Sequence, residues 1–212
     1  IGAISLLTEA IAGAHDDPDT IRKFSASLQK EAARLGSLVQ ELMQLSRVQG
    51  AKLSDTAVEL DLALVINDAV DRNQVLAEQR GVKLVTSATR GSRMVGDYEM
   101  LTTAVRNLVE NAIAYSDKGS QVGIGLKEID GVAEIAVTDS GIGISEDEQE
   151  RIFERFYRVD PSRSRDTGGS GLGLSIVKHA ASNHEGDVRL FSKEGVGSTF
   201  TFRLPIQNRE TN

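Results

Sequence analysis

The chain has 212 residues, which is enough for one or two domains with a sizeable core. A net charge of -7 and an aromatic content of 4% argue against a nucleic-acid binder, which needs clustered basic residues and stacking aromatics. Cysteine is absent, which excludes disulfides and thiolate metal sites. The sequence also lacks the run of about 18 apolar residues that a transmembrane helix requires.

Two helices are predicted at the N-terminus. Residues 1 to about 14 place apolar side chains at spacings of three and four, and a second helix is predicted from a cap at Asp19 or Thr20 to about Gly50. The second helix has a coiled-coil pattern, interrupted by Glu31: Phe24, Leu28, Leu35, Leu38, Leu42 and Leu45. Because two helices alone cannot bury both seams, residues 1–50 are predicted to form an antiparallel hairpin that dimerises as a four-helix bundle. The alternative is a helical cap on the following domain.

A second domain is predicted after a polar linker at residues 51–59. It spans residues 60–206, and residues 207–212 form a C-terminal tail. Periodicity predicts helices at residues 60–79, 97–115 and 172–184, and strands at residues 82–86, 93–95, 121–128, 132–138, 187–192 and 198–204. Gly81 is the predicted C-cap of the first helix, and Ser145 with Glu148 predicts a capping box for a short helix that ends near Phe153. Because βαβ regularity is missing, the predicted fold class is α+β, one sheet with helices on one face.

Two glycine-rich turns stand at the ends of the segment from Asp139 to Gly173. The first reads Asp139-Ser-Gly-Ile-Gly and the second reads Gly168-Gly-Ser-Gly-Leu-Gly173. Neither turn has the spacing of a P-loop or of a dinucleotide-binding fold. Glycine lets the backbone approach a ligand closely, and the second turn leads into a helix N-terminus, where unpaired N–H groups favour phosphate.

Asp139 follows a strand in which Ala133, Ile135 and Val137 share one face, so the alternation places its carboxylate on the inward side. A buried carboxylate needs a fixed hydrogen-bond donor, such as the exocyclic amine of a purine. The alternative is an ordinary turn aspartate before glycine.

Asn107 and Asn111 lie one helical turn apart and therefore share a face. Asparagine is unfavourable inside helices, and its amide oxygen suits a magnesium ion that also binds phosphates. Taken alone, the pair is more typical of a solvated helix face.

Four motifs, in this order and spacing, resemble the catalytic core of bacterial sensor histidine kinases: Asn107-Leu-Val-Glu-Asn111-Ala, Asp139-Ser-Gly-Ile-Gly, Phe153-Glu-Arg-Phe-Tyr-Arg158 and Gly169-Ser-Gly-Leu-Gly173-Leu. The resemblance covers nearly the whole chain, since residues 1–50 look like the dimerisation hairpin of that family. Within the family, the chain looks like the phosphate-responsive kinases of mycobacteria. The resemblance implies an α/β sandwich ATP-binding domain of the histidine kinase, gyrase and chaperone type, with protein-histidine kinase activity and with ATP and Mg²⁺ as cofactors.

The resemblance also implies roles for matching residues. Asp139 is similar to the carboxylate that reads adenine, Asn111 to the magnesium ligand, and Arg158 to the arginine that reaches the γ-phosphate. The other implied nucleotide-binding residues are Asn107, Tyr115, Gly141, Gly143, Gly169, Gly171, Leu172, Gly173 and Thr199. Residues 159–170 resemble the mobile lid of the family.

Other matching positions are expected to support the site. Phe153 and Phe156 resemble residues that pack onto the domain or the bundle rather than touch nucleotide. Many relatives carry a lysine where this chain has Ala114, and Lys118, one helical turn further on, is the candidate substitute.

In this family a histidine next to an acidic residue accepts the γ-phosphate, which is then relayed to a response regulator receiver domain. The segment with this histidine is expected just before Ile1, so we expect a truncated form that binds ATP without autophosphorylating. His15, His179 and His184 lack the required context and are expected to be structural or solvated. The resemblance further implies a homodimer through residues 1–50 and a cytoplasmic location, with membrane anchorage only through an upstream segment.

Two other functions fit parts of the sequence. An ATP-hydrolysing clamp of the related gyrase and chaperone group would share the nucleotide site, but those enzymes place a glutamate where Asn107 stands. A non-catalytic nucleotide-binding dimer scaffold would use the same site without any phosphoacceptor.

Overall fold

The structure is a computed structural model that describes residues 2–14, 17–50, 57–87, 92–159 and 170–206. The chain divides into two compact units, Ile1–Gln44 and Leu45–Asn212. The first unit is helical, and all strands of the described residues belong to the second.

The N-terminal helices are α1 (Gly2–Gly13) and α2 (Pro18–Gly50). The predicted caps of α2 are wrong, because the carboxylate of Asp17 accepts hydrogen bonds at 3.1 Å from the backbone N–H groups of both Asp19 and Thr20. Proline at the first helical position moves the cap to the residue before it.

The predicted coiled-coil face of α2 is only partly covered in a single chain. Its described side chains are half-buried, namely Phe24, Leu28, Leu35 and Leu38, whereas Val39 and Met43 are exposed. Within the described range, no residue of α1 is buried. The side chains of Leu42 and Leu45 lie outside the described residues, and the hairpin and its bundle stay predictions.

The second unit contains mixed helices and strands, as predicted. The elements are β1 (Val58–Asp61), α3 (Leu62–Arg80), β2 (Lys83–Thr86), β3 (Arg93–Gly96), α4 (Tyr98–Tyr115), β4 (Gln121–Ile129), β5 (Val132–Asp139), two 3₁₀ turns (Glu146–Glu148 and Arg151–Phe153), α5 (Gly173–Asn183), β6 (Asp187–Lys193) and β7 (Gly197–Pro205).

A five-stranded sheet with the order β2-β4-β5-β7-β6 forms the frame of this unit, and β1 and β3 form a separate antiparallel pair. β2 pairs with β4 in parallel, and the other neighbours are antiparallel. Buried residues alternate along β5 and β7, and α3, α4 and α5 contact the sheet. The α+β class is confirmed, and the register places Asp139 opposite Ser198.

The helix caps show how local sequence sets the element bounds. Gly81 ends α3 with φ of 67°, as predicted, and Asp97 caps α4 by accepting a hydrogen bond from the Met100 N–H at 2.9 Å. The helix predicted from Leu60 starts at Leu62, because Val58–Asp61 pairs with β3 as a strand and its last residue caps α3.

The capping box predicted at Ser145 and Glu148 does not form. Ser145 makes no side-chain cap, and the Glu148 carboxylate accepts a hydrogen bond from the hydroxyl of Tyr157. The segment that was predicted as a short helix therefore consists of two 3₁₀ turns.

A buried histidine joins α4 to α5. His184 Nε2 accepts a hydrogen bond from the Asp97 N–H at 3.0 Å, so Nδ1 carries the proton and donates it to the Ala180 carbonyl at 2.8 Å. Burial lowers the pKa of His184, while the Ala180 hydrogen bond and the Asp97 charge oppose this effect. His184 thus has the structural role expected of it, and His15 lies outside the described residues.

Candidate functional site

Asp139 is the last residue of β5 and points into the protein. It is 9% exposed, and its Oδ1 accepts hydrogen bonds from the backbone N–H groups of Gly141 at 2.8 Å and Ser198 at 3.3 Å. No donor among the described residues reaches Oδ2. The carboxylate is therefore held firmly and retains an acceptor for a ligand.

The environment of Asp139 favours a ligand that donates a hydrogen bond. Burial raises the pKa of its carboxyl group, and the N–H groups of Gly141 and Ser198 lower it less. A donor that reached Oδ2 would stabilise the charged form and offset part of the desolvation.

The glycines around Asp139 are required by backbone packing. In each case an added Cβ would collide with a backbone oxygen, at distances shorter than real contacts: Gly141 with Tyr115 at 2.2 Å, Gly143 with Lys193 at 2.0 Å, and Gly197 with Asp139 at 2.2 Å. The first glycine turn is thus held between the end of α4 and the turn that connects β6 to β7.

Strand alternation places Ser198 and Thr199 on opposite faces of the sheet. Thr199 pairs with Thr138, their hydroxyls are 3.0 Å apart, and both point to the sheet face opposite Asp139. The structure therefore does not bring the Thr199 side chain to the site. Ser198, which is buried, lies directly across from Asp139. Period-two alternation from the buried Phe200 could have identified it.

One face of α4 connects the two glycine turns. Asn107, Asn111 and Tyr115 follow one another at intervals of four residues, so they extend over about 12 Å of helix axis. The carbonyl of Tyr115, whose side chain is 39% exposed, contacts Gly141 at one end. At the other end, Asn107 donates a hydrogen bond from Nδ2 to the Gly173 carbonyl at 3.4 Å.

Asn111 lies between these two contacts. Its side chain is half-buried, and within the described ranges no hydrogen bond engages its amide. No group of three or more histidine, aspartate or glutamate residues in the described part of the chain could hold a metal ion. A magnesium ion at this site would therefore depend on the amide oxygen and on the phosphates of a nucleotide.

The second glycine turn is described from Ser170 onward, whereas Gly169 and most of the predicted lid lie outside the described residues. Gly171 has φ of 79°, and an added Cβ would lie 2.8 Å from the Tyr157 carbonyl oxygen. The backbone of this turn therefore packs closely on the Phe153–Arg158 motif.

The start of α5 brings two more predicted residues beside α4. Gly173 lies close to Asn107, where a Cβ would be 3.7 Å from the Asn107 Cβ. Leu172 is fully buried with Ile176, so only its backbone is left for a ligand.

The Phe153–Arg158 motif divides between packing and exposure. Phe153 packs edge to face on Phe200, with ring centroids 6.3 Å apart, as expected for a residue that packs onto the domain. Phe156 is 61% exposed. Arg158 is half-buried and follows Tyr157, which contacts Gly171.

Lys118 has a local structural role. Its stem lies over Gly81, where an added Cβ would be 2.9 Å from the Lys118 Cγ, and the Gly119 N–H donates to the Gly81 carbonyl at 2.7 Å. Its position at the C-terminus of α3 lets the ammonium group complement the helix dipole. The substitute phosphate contact of Lys118 stays a prediction.

Comparison with known proteins assigns this chain to a family. A family model described as histidine kinase-, DNA gyrase B-, and HSP90-like ATPase matches residues 96–208. The sensor-like histidine kinase SenX3 of Mycolicibacterium smegmatis is 49% identical over 205 residues, which cover 97% of this chain and 53% of SenX3. The chain thus spans about half the length of this curated relative.

Solved structures agree with this assignment. The mycobacterial sensor histidine kinase MprB is 33% identical with a TM-score of 0.61, and the match covers 71% of this chain and 97% of the MprB chain. The histidine kinase AdeS of Acinetobacter baumannii has a TM-score of 0.73 at 21% identity, covering 97% of this chain and 96% of the AdeS chain, which shows the fold alone. Within the described residues, no helix is both long and apolar enough to cross a membrane.

Proposed function

The chain belongs to the family of histidine kinase-, DNA gyrase B- and HSP90-like ATPases, and on that premise we propose that it is the ATP-binding catalytic core of a sensor histidine kinase. In the proposed reaction, the γ-phosphate of ATP passes to a histidine and then to an aspartate on a response regulator receiver domain. Family membership supports ATP as the nucleotide.

The observation that carries the proposal is the continuous face of α4. It starts beside the second glycine turn at Asn107, passes Asn111 and ends beside the Asp139 turn at Tyr115. A buried carboxylate whose Oδ2 has no donor among the described residues thus lies at one end, and amides with a helix N-terminus lie at the other. The order suits a nucleotide laid along the helix, with its base at Asp139 and its phosphates at Asn107.

At the base end, Asp139 would accept a hydrogen bond from the adenine amine through Oδ2. Its other carboxylate oxygen is already bound to Gly141 and Ser198, so the side chain needs no reorientation on binding. Tyr115 is exposed beside this turn and would contact the purine ring.

At the phosphate end, Asn111 would hold Mg²⁺, which neutralises phosphate charge when it is bound. Asn107 would position the phosphates together with the backbone of Gly171, Leu172 and Gly173. Arg158 would contact the γ-phosphate, and Gly169 would belong to the same turn. Because phosphoryl transfer has a loose transition state, positioning and charge neutralisation would provide most of the catalysis.

We propose a homodimer through residues 1–50. The support is physical: α1 has no buried residue in its described range, and Leu6, Val39 and Met43 are exposed apolar side chains. A second copy would cover these helices in a four-helix bundle. The receiver-domain partner and an upstream membrane anchor are proposed on the basis of the family alone.

Ligand-dependent stability tests the nucleotide site. With Mg²⁺ and ATP at about 100 times the Kd, the unfolding free energy should rise by about 2.7 kcal/mol. An unchanged melting temperature would refute ATP binding. Rapid phosphate release would instead favour the ATP-hydrolysing clamp, although Asn107 cannot act as the base that a glutamate provides in that group.

Phosphotransfer tests the chemistry. A form of the chain extended upstream to include the phosphoacceptor segment should acquire acid-labile, base-stable phosphate from labelled ATP. Replacement of the phosphoacceptor histidine by glutamine should abolish this label without changing ATP affinity. ATP binding without any label in the extended form would favour the non-catalytic dimer scaffold.

A further inference from the structure

The backbone at Phe156 is held in an unfavourable conformation. Its φ is 63°, a left-handed value that residues other than glycine seldom adopt. The Phe156 ring is mostly exposed, so burial of the ring does not compensate for this conformation. Neighbouring contacts must therefore hold the backbone in place.

The next residue, Tyr157, is held by two other side chains, Glu148 and Arg151. We call these three residues the tyrosine clamp. The Tyr157 hydroxyl donates a hydrogen bond to the Glu148 carboxylate. The Arg151 guanidinium lies over the Tyr157 ring, 4.3 Å from its centroid. The ring is therefore fixed both at its hydroxyl and on its face, which restrains the backbone that leads into Arg158.

The second glycine turn holds the same backbone from another side. The Phe156 N–H donates a hydrogen bond to the Gly171 carbonyl at 3.0 Å, and Gly171 packs against the Tyr157 carbonyl with no space for a Cβ. The clamp therefore connects the residue before Arg158 to the turn that leads into α5.

Hydrogen bonds also hold the 3₁₀ turn that carries Glu148 in place. Gln149, which follows Glu148, donates from Nε2 to the carbonyls of Ile144 at 3.1 Å and Ser192 at 3.3 Å. The Ser192 hydroxyl in turn accepts a hydrogen bond from the Ile144 N–H at 2.8 Å. The 3₁₀ turn that carries Glu148 is thus fixed to β6 and to the first glycine turn.

From these contacts we propose that Tyr157 is a positioning residue, which through Glu148 and Arg151 orients Arg158 toward the γ-phosphate of ATP. The inference rests on the proposed function, because Arg158 needs a γ-phosphate to act on. The Tyr157 hydroxyl, which is bound to Glu148, thus distinguishes ATP from ADP indirectly, through Arg158. At the adenine end of the site, the described hydrogen bonds of Asp139 go to Gly141 and Ser198 and not to the clamp.

The test compares ATP and ADP affinities by calorimetry on this chain, without any need for phosphotransfer. The Tyr157→Phe variant loses only the hydroxyl. It should bind ADP within about twofold of the wild-type Kd and bind ATP about tenfold more weakly. Glu148→Gln, which keeps an acceptor for the hydroxyl, should lose less ATP affinity than Glu148→Ala.

A double-mutant cycle separates positioning from general destabilisation. Arg158→Ala should lower the ATP preference, and adding Tyr157→Phe should then have no further effect, because the hydroxyl acts through the arginine. Additive losses would overturn the inference. Tyr98→Phe is the matched control, since the Tyr98 hydroxyl bonds Asp68 at 3.4 Å between α3 and α4, and it should leave both affinities unchanged.

The outcomes also separate this inference from the proposed function. If wild type binds neither nucleotide, the ATP-binding proposal fails. If wild type prefers ATP and Arg158→Ala removes this preference while Tyr157→Phe retains it, only the role of the clamp is refuted. A preference for ATP that survives in all these variants would refute the role of Arg158 and the clamp together.

Discussion

The backbone N–H of Asp97 donates a hydrogen bond to Nε2 of His184 at 3.0 Å, and this bond ties the start of α4 to the end of α5. Both helices carry residues of the proposed nucleotide site. A neutral imidazole is required, since a protonated Nε2 could not accept the hydrogen bond. The bond therefore makes the stability of the second unit depend on pH.

We expect this stability to decrease as the pH falls below about 6.5, where an unfolded histidine takes up its proton. Burial lowers the pKa in the folded state, so the unfolded chain binds more protons between the two pKa values. The contribution of His184 is present above the unfolded pKa and is lost as the pH falls through the folded pKa. Urea unfolding across this range measures it. His184→Gln keeps an acceptor without titrating and should show a shallower dependence; identical pH profiles would contradict the assignment.

Asp139→Asn should separate stability from binding. Burial raises the pKa of Asp139, so the folded protein keeps this proton to a higher pH than the unfolded chain does. The stability that Asp139 contributes is therefore fully present below about pH 3.8 and is lost as the pH rises through the folded pKa. The asparagine oxygen can still accept from Gly141 and Ser198, and we expect the unfolding free energy at pH 7 to be no lower than in wild type. Nucleotide binding should weaken by about 1–3 kcal/mol, because an amide donor would face the adenine amine. Calorimetry with ATP would disprove the role by giving an unchanged Kd.

Asn111→Ala should remove the contribution of magnesium without removing the nucleotide. We expect the affinity for ATP with Mg²⁺ to fall about tenfold, or 1.4 kcal/mol, while binding in the presence of a chelator stays unchanged. Titrations with and without Mg²⁺ measure the difference. Asn183→Ala, at the end of α5, is the control asparagine. Equal losses with and without the metal would show that Asn111 serves the fold or the nucleotide rather than Mg²⁺.

Gly141→Ala should destabilise the second unit by about 3 kcal/mol, because its Cβ would lie 2.2 Å from the Tyr115 carbonyl oxygen, a backbone atom that cannot rotate away as a flexible side chain can. Thermal unfolding measures the loss. Gly123→Ala in β4 is the matched control: nothing lies within 4 Å of its added Cβ, so we expect no loss, or a gain of about 0.5–1 kcal/mol. Similar stabilities of the two variants would show that the turn moves freely away from α4.

Local patterns predicted most elements of the second unit, whereas partners from outside the element decided the exceptions. The periodicity of α4 and the inward side of Asp139 were predicted because they depend on residues within one element. The capping box at Ser145 failed because Glu148 binds Tyr157, a partner outside the motif. β1 was missed because its four residues are a strand only through pairing with β3.

Part of the candidate site was also predicted from the sequence. The sequence motifs identified Asp139 and the α4 asparagines, and the structure places them along one helix face and its adjoining turn. The glycines were expected to approach a ligand, whereas Gly141 and Gly143 approach the backbone of Tyr115 and Lys193, which no local pattern could indicate. The position of Thr199 on the other face required the exact register of β7 against β5.

The hydrogen bond from Ser198 to Asp139 joins residues 59 positions apart and has a consequence for biosynthesis. Chains emerge from the ribosome N-terminus first, at about 5–20 residues per second. A nascent chain that has released α4 and β5 already presents Asn107, Asn111 and Asp139, but Gly197 and Ser198 are still enclosed. If Asp139 reads adenine as proposed, ATP would bind only after β6 and β7 have joined the sheet. Nucleotide would then stabilise the second unit late in its synthesis and would not assist the folding of its early elements.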